Sequence, residues 1–161
     1  MKKQGFTLIE LMVEIVIMGI LAAVAVPKLF GMIAKSKASE VGPAAGTYIK
    51  LQDAFASEAN KYGTWKSIGY VAPGASAAGS SSNTTNFSYS GAISADADIT
   101  TSAPSAVEGW LADNRVALND CAIGAGDWKI VLDAQPNGNS LKYTASTSCG
   151  ELTPSFAKIG Q

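Results

Sequence analysis

Two carboxylates sit where carboxylates are costly. Glu10 and Glu14 are the only ionisable side chains in the 21 residues from Phe6 to Val26. Spaced four apart, they share one face of a helix. An ionised carboxylate at mid-bilayer costs about 2.5–3.5 kcal/mol, so acids in such a run usually have a task, most simply that of meeting a cation. The alternative is that both are tolerated near the headgroups and do nothing. The rest of the chain offers little chemistry. It contains no histidine, which removes His-based triads and HExxH metal sites. Gly124 and Gly126 begin a GxGxxG-like run, but Lys129 stands where its last glycine should be. Asp96, Asp98, Asp120, Asp127 and Asp133 are candidate oxygen ligands for calcium, without EF-hand spacing. No catalytic residue, metal or cofactor is expected, and the chain does not read as an enzyme. A net charge of −1, from 12 basic and 13 acidic side chains, gives no reason to expect nucleic acid as a partner.

The element that must carry the two acids is a helix. The run from Phe6 to Val26 would cover about 31 Å at ~1.5 Å per residue, close to the hydrocarbon thickness of a bilayer. It is long for a secretory signal, although Ala23-Val24-Ala25 imitates a signal-peptidase site. Cleavage there would release a soluble domain. Lys2 and Lys3 flank the run on one side, and Lys28, Lys35 and Lys37 on the other, so basic flanks do not decide the orientation. Cys121 and Cys149, outside any CxxC, are expected to form one disulfide, which would place the C-terminal part outside the cytoplasm. Two free buried thiols are the alternative.

The basic leader Lys2-Lys3-Gln4-Gly5 followed by Phe6-Thr7-Leu8-Ile9-Glu10-Leu11 resembles the processing site of type IV pilins and of their relatives, the type II secretion pseudopilins. The likeness runs from Gly5 to about Pro27. It implies a leader of residues 1–5, cleavage after Gly5 by prepilin peptidase, and N-methylation at Phe6. It also implies that Glu10 meets a neighbouring subunit's Phe6 amine, since a buried cation needs a partner. Glu14 departs from the commonest pattern and leaves open which acid takes that role; Glu10 is preferred. In filaments of this family the stretch from Gly19 to Pro27 can lose helical structure, and both residues weaken helices. Gly19 and Ala23 also suit close helix approach. The resemblance further implies a precursor in the inner membrane. Assembly machinery there would draw it into a filament of identical copies on the cell surface.

Beyond Pro27 the apolar stripe continues through Val41, Ala45, Tyr48, Leu51 or Gln52, Phe55, Ala59 and Tyr62. Residues 28–62 are therefore expected to extend the helix, ending at Gly63 and kinked or broken at Gly42-Pro43. Residues 63–161 are expected to form a β-rich head. The low-complexity stretch 74–86 reads as a surface loop, in which Asn83-Thr-Thr and Asn86-Phe-Ser are taken as chance sequon matches. Phe87–Ile93, Val107–Leu118, Trp128–Asp133 and Leu141–Ser146 carry strand signals, with a turn at Gln135–Asn139 joining the last two as a hairpin inside the Cys121–Cys149 loop. The expected class is α+β: a long N-terminal helix packed on three or four antiparallel strands. Three readings compete: a major pilin, a pseudopilin or minor pilin, and a membrane-anchored enzyme or receptor for which no motif argues. Aromatic residues along the helix, Phe6, Phe30, Tyr48, Phe55 and Tyr62, fit core packing better than electron conduction.

Overall fold

A computed structural model describes residues 5–100, 104–135 and 140–161. The expected leader, Gly5 apart, lies outside the described residues, as does the expected turn beyond Gln135. Helix α1 runs Leu8–Ala38 and remains helical through Gly19 and Pro27. Helix α2 runs Val41–Ala59. The interruption at Ser39 and Glu40 lies just upstream of the expected kink. Pro43 has no N–H to give the Ser39 carbonyl and its ring opposes that carbonyl, so the ladder breaks there. As the third residue of α2, Pro43 occupies a position where no intrahelical donor is needed. The helix ends at Ala59, short of the expected Tyr62. Asn60 takes the left-handed conformation (φ 52°, ψ 33°) and its N–H bonds the Ala56 carbonyl, a geometry that Asn tolerates.

The strands are β1 Lys61–Tyr62, β2 Ser82–Asn83, β3 Phe87–Ser90, β4 Ala97–Asp98, β5 Val107–Asn114, β6 Trp128–Ala134 and β7 Leu141–Ser146. The main sheet is antiparallel with order β2-β3-β5-β6-β7, and β1 pairs with β4 in a separate ribbon. Four of its strands have four residues or more; the two-residue edge strand β2 makes a fifth. Strands of two residues carry no period-2 pattern, so β1, β2 and β4 leave no signal in the sequence. The hairpin β6–β7 pairs Ala134 with Leu141 through to Lys129 with Ser146, and Gln135 N–H bonds the Ser140 carbonyl below its turn.

Helix α2 covers the inner face of this sheet. Val41, Ala44, Ala45, Tyr48, Gln52 and Ala56 are buried, and Ala59 is exposed. The facing layer is Phe87, Tyr89, Trp110, Trp128, Ile130, Leu132, Leu141 and Tyr143, closed at one end by Phe156 of a 3-10 turn, Phe156–Lys158. Aromatic rings meet edge to face, with Tyr48–Tyr70 centroids 5.6 Å apart and Trp65–Tyr70 4.9 Å apart. Gly109 sits under Tyr48, where any Cβ would collide with the ring and its hydroxyl. Gln52 outranks Leu51 in burial because its amide is paired. With its amide oxygen turned to the Gly63 N–H (2.8 Å) and its nitrogen to the Gly63 carbonyl (3.2 Å), it pairs with both backbone groups. Glu40, in the interruption between the helices, accepts from the hydroxyls of Thr84 and Tyr89, each at 2.7 Å. This strap ties the helix junction to the sheet and so sets how α1 leaves the head.

Cys121 and Cys149 are bonded, with Cα atoms 5.9 Å apart. The bond encloses β6 and β7 and holds the chain after β7 to the loop after β5. Two measurements test this description. The 28-residue span implies about 3.5 kcal/mol from constraint of the unfolded chain. Replacing both cysteines by serine should lower head stability by about that amount, read from fluorescence of the buried tryptophans during denaturant titration in detergent. An unchanged midpoint would show the staple to be dispensable. The second concerns Asp113, whose Oδ1 is buried without a hydrogen-bond partner. Desolvation first, then the neighbouring Asp127 carboxylate, raises its pKa above 3.8. A carboxyl that binds its proton more tightly when folded costs stability as pH rises through the raised value. Asp113→Asn is therefore expected to raise the melting temperature at neutral pH, with the gain vanishing below about pH 4. A lower melting temperature at neutral pH would contradict it.

Candidate functional site: an exposed apolar rod carrying two acids

From Leu8 to Leu29 every residue of α1 is exposed among the described residues; Phe30, Gly31 and Ile33 line grooves shared with Leu118 and Asn119 of the head, and Ala34 is the first buried residue. Leu8 is 75% exposed, Ile20 63% and Val24 71%. Among the described residues one helix is long and apolar enough to cross a membrane, and this is it. Such a surface facing water would cost about 25 cal/mol per Å², so it demands lipid or another apolar body. An exposed apolar patch of this extent marks an interaction site.

The start of the rod is ordered by its own side chains. Thr7 caps α1: its Oγ1 accepts from the Glu10 N–H (3.3 Å), and a Glu10 Oε2 accepts from the Thr7 N–H (2.7 Å) and Thr7 Oγ1–H (2.7 Å). This reciprocal pair is a capping box, and it satisfies donors that the first helical turn leaves open. The motif was readable as Thr7-Leu-Ile-Glu10, yet the sequence reading gave Glu10 only an intersubunit role. Ahead of the cap, Gly5 and Phe6 lie outside the helix and are exposed, with Phe6 at 80%.

Glu14 lies one turn further on. Glu10, Glu14, Ile9, Val13, Ile17 and Met18 line one shallow groove on the rod. Both acids thus stand on the same face, as their spacing requires. Glu10 is engaged by Thr7, whereas Glu14 has no hydrogen bond or ion pair among the described residues. Gly19 is open: a Cβ there would meet nothing within 4 Å, so nothing inside the chain needs its small size.

The acids named as calcium candidates are scattered. Asp96 accepts from Thr64 N–H, Asp98 from Thr100, Asp120 from Asn119 and Asp133 from Ala106 N–H, while Asp127 stands beside Asp113. No three metal-ligating side chains come together among the described residues.

Residues 1–26 match the family described as the prokaryotic N-terminal methylation motif. Over 61 residues, 38% of its length, the chain is 43% identical to the type IV major pilin protein PilA of Myxococcus xanthus (strain DK1622), covering 28% of that protein. Over 39 residues, 24% of its length, it is 54% identical to the type IV major fimbrial protein FimA of Dichelobacter nodosus, covering 25% of it. The chain thus matches only about a quarter of these relatives' length. The family match covers the start of the rod: the chain carries the N-terminal methylation motif, and over its aligned segments it is similar to the type IV major pilins.

Proposed function

We propose that this chain is a structural subunit, the major pilin, of a type IV pilus rather than an enzyme. One observation carries the reading: an apolar rod of membrane length finds no cover among the described residues of its own chain and begins at an exposed Gly5–Phe6 junction. Residues 1–5 form the leader, 6–27 the membrane and filament-core segment, 28–62 its amphipathic continuation, and 63–161 the head. The precursor stands in the inner membrane with its head outside the cytoplasm. Prepilin peptidase hydrolyses the Gly5–Phe6 bond, freeing the Gly5 carboxyl with the leader and leaving an amine at Phe6. Methylation of that amine keeps it cationic.

The inner-membrane assembly machinery then passes the rod from lipid to a bundle of identical rods, with heads outward. An acid on a neighbour meets the new amine, and leaving either charge alone costs several kcal/mol, so the pair selects one register. Gly19 and Ala23 permit close approach between rods. Gly19 and Pro27 are where the helix gives way most readily if the bundle requires it. The disulfide and the likeness to major pilins favour this reading over a pseudopilin or minor pilin.

Shearing cells and sequencing the released filament tests it. The expected result is a filament whose subunit begins at methylated Phe6. Recovery of the chain only as an uncleaved membrane protein would contradict the proposal.

A further inference from the structure

We infer that the loop between β5 and β6 holds the two cysteines in place before they are bonded. Asn114 is the residue that positions Cys121, Cys149 is the sulfur that an incoming disulfide oxidant meets first, and Cys121 completes the bond. The arrangement belongs to the head and does not depend on the filament reading.

Asn114 ends β5 and is 1% exposed. Its Nδ2 donates to the carbonyls of Val116 (2.9 Å) and Ala122 (2.7 Å), and at longer range to that of Cys121 (3.5 Å). Its Oδ1 accepts from the Gly126 N–H (3.0 Å), and its backbone carbonyl accepts from the Gly124 N–H (2.8 Å). One buried amide therefore gathers a loop that has no strand or helix of its own. Leu118 and Cys121 also exchange two backbone bonds across a tight turn, at 2.9 and 3.0 Å, which fixes the backbone of Cys121 further.

Gly126 joins the two sides. Its N–H meets Asn114, and its carbonyl accepts from the Ser148 N–H (3.0 Å) and the Thr147 hydroxyl (2.6 Å). The same Thr147 oxygen accepts from the Cys149 N–H (3.1 Å). Glycine is required here because a Cβ would run into the Trp128 ring. Cys121 and Cys149 are thus each fastened to one peptide by hydrogen bonds that do not involve sulfur. As thiols, the sulfurs also have acceptors waiting. Cys121 Sγ lies 3.9 Å from Asn114 Oδ1, and Cys149 Sγ 3.7 Å from the Ala125 carbonyl, within reach of a weak S–H donor.

Exposure sets the order. Cys121 is 4% exposed, whereas Cys149 is only partly buried and lines an open groove with Gly31 and Lys35 of α1. The Cys149 thiolate attacks one sulfur of the oxidant, forming a mixed disulfide and releasing the first thiol. The Cys121 thiolate then attacks the Cys149 sulfur, closing the bond and releasing the second thiol. Two cysteine thiols are oxidised and one oxidant disulfide is reduced; the protons lost by the cysteines end on the two thiols released.

The full chain, reduced in detergent and freed of reductant, is mixed with oxidised glutathione, and aliquots are acid-quenched, alkylated and weighed. The reduced chain is expected to keep the tryptophan fluorescence of the bonded one. Asn114→Ala should close the bond at least about tenfold more slowly in buffer, yet within about twofold of the unaltered rate in strong denaturant, where positioning is lost. Thr147→Val, at a partly buried site, should slow closure about threefold in buffer and leave the denatured rate unchanged. Cys121→Ser, which leaves Cys149 free, should take up glutathione at least about tenfold faster than Cys149→Ser. Should Asn114→Ala fail to fold, Thr147→Val decides by the same comparison. Unchanged closure in buffer, slowing that persists in denaturant, faster uptake at Cys121, or a reduced chain that fluoresces as unfolded would each overturn the assignment.

Discussion

The whole molecule is organised by an apolar surface that its own fold does not cover. Between Leu8 and Ile33 the helix offers large side chains to its surroundings in every direction. A soluble protein would fold another element over them, and this one does not. In the filament reading proposed above, lipid satisfies the rod first. Exchange of lipid for other rods brings little hydrophobic gain, because lipid tails are as apolar as leucine. What tips the exchange is closer packing and the removal of an unpaired charge. Once outside the membrane the alternative is water, and the rods are then held together by the full hydrophobic effect.

The head is built to leave that rod free. Helix α2 spends its buried face on the sheet, while α1 commits only Ala34 and Ala38 to the core. Ser39 and Glu40, between the two helices, both keep helical backbone angles. Glu40 fixes the junction against Thr84 and Tyr89, and the disulfide, in a groove shared with Gly31 and Lys35 of α1, ties the chain after β7 to the loop after β5. A filament subunit, as proposed, would carry load through its rod and need this join to be stiff.

Much of this was legible in the sequence for physical reasons. The rod is a long uninterrupted run, the strongest signal a chain gives. The β6–β7 hairpin shows because Trp128, Ile130 and Leu132 alternate cleanly with solvent-side residues, as do Leu141, Tyr143 and Ala145. The helix end was misplaced because Asn60 takes a backbone conformation that only context reveals. The deep burial of Gln52 was hidden because its partner is the backbone of Gly63, which no periodicity marks. The site was half legible. The residues Gly5, Phe6, Glu10 and Glu14 stand out by type and spacing. That Glu10 is already bonded to Thr7 follows from side-chain geometry.

The central claim is that the rod exchanges lipid for other copies of itself. Val24→Cys places a single thiol on it, since both native cysteines are bonded to each other. Intact sheared filaments should resist a water-soluble maleimide at that thiol, and detergent-dispersed subunits should react fully. Equal labelling of filament and subunit would show that the rod is not buried between copies, and the account would fail.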